Sequence, residues 1–340
     1  MSALQQMLFA AAAKAQQIAI AHDTSPFVSV YPWSGGFGVK FTNPATLPTG
    51  TGNKVAFTNS GNAIAVAHNV TPFVSAYPWS GSGFGTKFTN PATLPTGEGF
   101  GIAFTNSGNA IAVAHDLSPR ISAYPWSGSG FGTKFADPAT LPVSIGYGVA
   151  FTSAGDAIAV AHQTTPYVSA YPWSGSGFGT KFANPATLPA DDGLGVAFSP
   201  ANNAIAVAHG ITPFVTAYPW SGSGFGTKFA NPATLPTGGG RAVTFSSAGD
   251  VIVVGHSVSP FVSAYSWSGS GFGTKFADPA TLPPSGGNSV AFTKDNDVIA
   301  LAHTVTPYVS AYSWSGSGFG AKFANPATLP ANEGNGVAFN

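Results

Sequence analysis

The chain of 340 residues contains no cysteine. That excludes a disulfide framework, thiolate metal ligands and a cysteine nucleophile, and leaves the redox compartment open. Charge is scarce as well. Only 7% of residues are Asp, Glu, Lys or Arg, twelve basic and twelve acidic, where an ordinary soluble domain carries about 25%. With no basic run or face, the electrostatic footprint of a nucleic-acid binder is missing and no such partner is expected. No stretch of eighteen apolar residues occurs, so neither a transmembrane helix nor membrane insertion is expected. A 3.6-residue period is absent beyond the first 17 residues, which argues against a helical solenoid.

What is present is repetition. The stretch FVSAYPWSGSGFGTKFTNPATLP, residues 73–95, returns almost letter for letter around Trp33, Trp79, Trp126, Trp173, Trp220, Trp267 and Trp314. The tryptophans are 46 and then five times 47 residues apart, and His22, His68, His115, His162, His209, His256 and His303 keep the same spacing. A fixed period of this length means one supersecondary unit copied in series. Each unit reads as four short strands: GVAF; the almost wholly apolar AIAVAH, of the kind buried on both faces; FVSAY, β-branched and aromatic; and GFGTKF after a Gly/Ser turn. NPATLP then ends the unit, because proline removes a ladder donor and fixes φ.

Four strands per unit predict an all-β fold: a seven-bladed β-propeller of four-stranded antiparallel blades. The segment IAIAH (Ile18 to His22) matches a second strand and GVAFN (Gly336 to Asn340) a first strand. The C-terminal strand is therefore expected to close blade one, removing free edges. The division expected is an N-terminal helical extension over 1–17 and a propeller over 18–340. Ser2 and Gln5 have capping-box spacing in that extension, and Leu4, Met7 and Leu8 share one face. A helix this short is marginal alone in water, so Leu4, Met7 and Leu8 are read as an anchor for a protein partner or for a second copy of the chain.

The run GVAFSPANNAIAVAH (Gly195 to His209), followed by VTAYPW (Val215 to Trp220), resembles the WD-repeat and YVTN-type propeller families. Trp is followed by Ser rather than Asp and no Gly-His pair precedes the first strand, so that family's polar network does not transfer. The near-identical copies behind a short helical leader also resemble repeat propellers of marine bacteriophages. That resemblance implies a virion or attachment component as one setting; localisation is otherwise open.

The recurrent polar groups divide as follows. The histidines cannot share a metal between blades, since packed sheets lie about 10 Å apart and zinc needs each nitrogen within about 2.1 Å. Each is read as bonding a loop carbonyl or a nearby hydroxyl. Lys40, Lys87, Lys134, Lys181, Lys228, Lys275 and Lys322 fall on the outer strand, where a charge blunts an edge. The seven tryptophans are either blade-packing groups or repeated aromatic platforms for glycans. The copies differ most in the pair after each histidine and at Asn53, Phe100, Tyr147, Leu194, Arg241, Asn288 and Asn335. These variable positions fall on one face and are a candidate docking surface, with Phe100, Tyr147 and Leu194 on adjacent blades. Because seven near-copies converge like residues, no catalytic, cofactor or metal residues are expected. The function expected is a non-enzymatic binding or structural module, a protein-docking scaffold. The alternative is a multivalent carbohydrate-binding propeller.

Overall fold

The computed structural model describes residues 16–340. Twenty-three strands form seven antiparallel sheets, or blades, arranged as a propeller. The innermost strands of blades 2 to 7 are Gly52–Phe57, Gly99–Phe104, Gly146–Phe151, Gly193–Phe198, Gly240–Phe245 and Gly287–Phe292. Blade 1 takes its innermost strand from the other end of the sequence: Gly334–Phe339 pairs with Gln16–His22, Ile20 opposite Val337. Each innermost strand packs beside the next, and the cycle runs without a gap through blades 7, 1 and 2.

The apolar second strand explains the core. In Ala63–His68, Ile64 and Val66 point at blade 1 and meet Ala19, Ala21, Val28 and Val30. Ala63, Ala65 and Ala67 point the other way and receive Ile111 and Val113 of blade 3. Large side chains on one face thus fill the space left by small ones, mostly alanine, on the next, and the core is seven such seams, with Val251 and Val253 taking the alanine positions between blades 6 and 7. A strand buried on both faces has no polar side and needs none.

Two further repeated elements tie neighbours together. In blades 1 to 5 the buried tyrosine of the third strand reaches into the NPATLP segment of the preceding unit, as Tyr77 does to Thr46 O at 2.9 Å and Tyr31 to Thr328 O at 2.8 Å; the hydroxyls of Tyr265 and Tyr312 in blades 6 and 7 lack that bond. The glycine that opens each innermost strand lies against a carbonyl of the preceding blade. At Gly146 a Cβ would stand 2.7 Å from Arg120 O, which leaves no room for a side chain.

Three expectations are corrected. Only blades 6 and 7 have a fourth strand, Phe272–Lys275 and Phe319–Lys322; blades 1 to 5 have three strands and a single Trp–Phe bridge. The difference follows the residue before Trp. Blades 6 and 7 have Ser266 and Ser313, whereas the others have proline, which has no N–H to offer an outer partner. Second, no helix occurs among the described residues. Gln16 and Gln17 are strand, continuing Ile18 outward, and Leu4, Met7 and Leu8 lie outside the described residues. Third, partner binding through that helix loses its structural basis for the same reason.

Candidate functional site: the axial cavity

The repeated histidines are fully buried and fixed. Nδ1–H of His68 donates to Val70 O at 2.8 Å, so its Nε2 must accept from the hydroxyl of Ser75, 3.0 Å away. His209 with Thr216 and His303 with Ser310 are held the same way. Burial lowers all seven pKa values to about 4. A neutral imidazole sealed from solvent is a strand staple.

The outer lysines are also engaged locally. Lys322 donates to Asn325 Oδ1 at 2.6 Å, Lys134 and Lys275 pair with Asp137 and Asp278, and Lys40, Lys87, Lys181 and Lys228 bond the asparagine three residues on. The tryptophans Trp33, Trp79, Trp126, Trp173, Trp220, Trp267 and Trp314 are only 3–5% exposed. Trp126 is ringed edge-on by Phe88, Phe104 and Phe131 at 5.1–5.2 Å between centroids. No ring face is left for a sugar to stack on, which corrects the glycan-platform reading.

The variable residues stand on one rim of the central channel, and most of them join blades to one another. Asn53 donates to Gly99 O at 2.9 Å, and Asn288 to Gly334 O at 3.1 Å. Asn335 donates to Gly52 O at 3.1 Å and to Asp23 at 2.6 Å. Phe100 and Tyr147 meet edge-on at 5.5 Å. Leu194 and Arg241 line a cavity inside that rim, and there Nη1 of Arg241 donates to Asn288 Oδ1 at 2.6 Å.

This cavity, about 340 Å³, lies on the axis and is walled by innermost strands of every blade. Its walls are mostly valine and backbone, because the third residue of the strand is Gly101, Gly148, Gly195 or Gly336 in four blades. In blade 2 that position is Lys54, the residue missed from the sequence. The signal was there: it is the only charge at that position in seven copies. Lys54 Nζ reaches the backbone carbonyl of Asn288 at 3.4 Å. Lys54 and Arg241, from blades 2 and 6, therefore converge on one residue of blade 7. Among the described residues they are the only charged ones lining the cavity, and the ion pairs are confined to the outer edge. Desolvation lowers the Lys54 ammonium to about 8. Glu98 and Asp192 precede the innermost strands on the same rim; partial burial raises both above the usual carboxylate range, and Asp116 and Asp191 add to it.

The opposite mouth is bridged by Lys294, whose Nζ donates to Asn59 O at 2.7 Å. Its phenylalanines, such as Phe104 and Phe151, already lean on tryptophans. Among the described residues no three His, Asp or Glu groups converge as metal ligands would, and no helix is long and apolar enough to cross a membrane.

No family model matches the sequence, and no curated protein matches it. Solved structures do resemble the fold. The periplasmic gluconolactonase of Pseudomonas aeruginosa superposes with a TM-score of 0.73 at 12% identity, over 95% of this chain and 99% of that one. A Bacteroides fragilis protein with the provisional name 6-phosphogluconolactonase gives 0.73 at 12%, over 97% and 99%. A protein of unknown function from Desulfotomaculum acetoxidans gives 0.68 at 13%, over 95% and 98%. At such identities the likeness is one of fold. It corrects the WD-repeat, YVTN and bacteriophage resemblance: the solved structures of like fold include a gluconolactonase. It also overturns the reading of the chain as a non-enzymatic scaffold or multivalent lectin, since single chains of this shape include a lactone hydrolase.

Proposed function

We propose that the chain hydrolyses a small cyclic ester, a sugar-acid lactone, in the axial cavity. One observation carries this reading: Lys54 and Arg241 converge on Asn288 inside a space that is otherwise uncharged. Opening a lactone places negative charge first on the carbonyl oxygen and then on a carboxylate. A guanidinium held in position at the rim of the cavity by Asn288 stabilises both through charge-assisted hydrogen bonds. Attack needs a water relieved of its proton. An amine whose pKa is lowered to about 8 has a neutral fraction of roughly one tenth at pH 7 and can accept that proton. The likeness in fold to the Pseudomonas gluconolactonase supports the substrate class.

The test is acid release from D-glucono-δ-lactone, followed with a pH indicator and corrected for spontaneous opening. The wild-type chain should accelerate release, with a rate that rises with pH through about 8. Lys54→Met should lower the rate at least tenfold, and Lys87→Met should leave it within twofold. A wild-type rate no greater than that of buffer alone overturns the proposal.

A further inference from the structure

The environment of Lys54 permits a second kind of chemistry that does not depend on ester hydrolysis. A lysine becomes a nucleophile toward carbonyl carbon when it is desolvated in an apolar pocket or set beside another cation, since both disfavour the ammonium. Lys54 meets the first condition, desolvation. The walls around it are valines and glycine backbone, and Arg241 is anchored to the same asparagine. Among the described residues its one hydrogen bond, at 3.4 Å to a carbonyl, is long for an ammonium, and no carboxylate lines the cavity. Every lysine of the outer ring, by contrast, bonds Asn or Asp three residues on. Lys294 is bonded to Asn59 O.

We propose that Lys54 is a carbonyl-reactive amine that condenses with a small anionic aldehyde whose acidic group rests on Arg241. In the step, the Nζ lone pair adds to the aldehyde carbon while one Nζ proton passes to the carbonyl oxygen, giving a carbinolamine. The second Nζ proton then passes to that hydroxyl, which leaves as water as the C=N bond forms. Amine and aldehyde become imine and water, with no change of oxidation state. The hydroxyls of Thr244 and Ser289 line the same cavity and can pass the protons. Arg241 fixes the anionic end by charge-assisted hydrogen bonds, which aldehydes lacking that group forgo.

The experiment uses the full chain, glyoxylate as the anionic aldehyde and cyanoborohydride to reduce any imine to a stable amine, read by intact mass and peptide mapping. The expected result is one principal adduct, on Lys54, formed at least tenfold faster than on any outer lysine. Its rate should be half-maximal near pH 8, consistent with the desolvated amine; Arg241 is the one other charged group facing it. Lys54→Arg should abolish that adduct while the circular dichroism spectrum stays unchanged. Arg241→Gln should slow labelling by glyoxylate at least fivefold and leave labelling by uncharged glycolaldehyde within twofold. Labelling of Lys54 no faster than that of the outer lysines overturns the amine's role. An equal effect of Arg241→Gln on both aldehydes overturns the anion's. The lactone assay is separate: imine trapping without lactone turnover sinks only the hydrolytic proposal, and the converse sinks only this one.

Discussion

At the scale of single residues, the copies act as internal controls for one another. Lys54 sits where four blades have glycine, so its side chain is not needed to build the strand. Holding a desolvated ammonium there costs stability, a common exchange at functional sites. Lys54→Met should therefore raise the Tm by a few degrees while removing the chemistry above. The sign with pH follows from the lowered value of about 8 in the folded chain against about 10.4 in an unfolded one. The difference in Tm between variant and wild type should be full below pH 8 and close as pH rises to about 10.4; a difference independent of pH over that range contradicts the burial of this amine. Gly146 illustrates the opposite constraint. Its missing Cβ is demanded by the backbone oxygen of Arg120, which cannot swing aside as a side chain would. Gly146→Ala should destabilise the protein by roughly 1–3 kcal/mol, measured by urea unfolding.

At the scale of the strand, proline decides how wide a blade grows. Pro125→Ser in blade 3 should restore an N–H toward the segment after Trp126 and extend the outer pairing there. Ser313→Pro in blade 7 should erase the strand Phe319–Lys322. Amide exchange is the direct readout: protection should be gained around Phe131–Lys134 in the first variant and lost at Phe319–Lys322 in the second, with global stability changed by less than about 1 kcal/mol, as fits an exposed edge. If Ser313→Pro leaves protection there unchanged, proline is not the determinant. This edge also shows where the sequence could be read and where it could not. Period, strand order and the doubly buried second strand were legible because each is a local pattern of apolar spacing. The fourth strand was not: GFGTKF looks alike in all seven copies, and its pairing depends on one N–H in a different strand. Lys54 was overlooked for a related reason. Its meaning lies in Arg241 and Asn288, nearly two hundred residues or more away in sequence, which only the closed ring brings together.

At the scale of the whole molecule, the seven histidines behave as one titrating set. Each has a pKa of about 4 when folded and about 6.5 when unfolded, so the unfolded chain binds more protons between those values. Their stabilising contribution is complete above pH 6.5 and is lost as pH falls toward 4, on the order of 2 kcal/mol for each histidine by pH 5. Seven such losses match or exceed the net stability of an ordinary domain, about 5–15 kcal/mol. Tryptophan fluorescence should report cooperative unfolding between pH 6.5 and 4. A native spectrum retained at pH 4 would refute the assignment of buried neutral imidazoles. Repetition has one more consequence, which concerns how the chain finds its own partner. Seven second strands of almost one sequence are potential sites for the innermost strand Gly334–Phe339, and a strand that joins the wrong one leaves an open or tangled ring. The correct site differs from the others at Gln17, where alanine or valine stands in the other copies. Its backbone N–H donates to Asn340 Oδ1 at 2.8 Å, Asn340 N–H donates back to Gln17 O at 3.2 Å, and Nε1 of Trp79 holds the Gln17 side chain at 3.1 Å. A glutamine and an asparagine thus serve as an address, distinguishing one destination from six near-duplicates that hydrophobic matching alone would treat as equals.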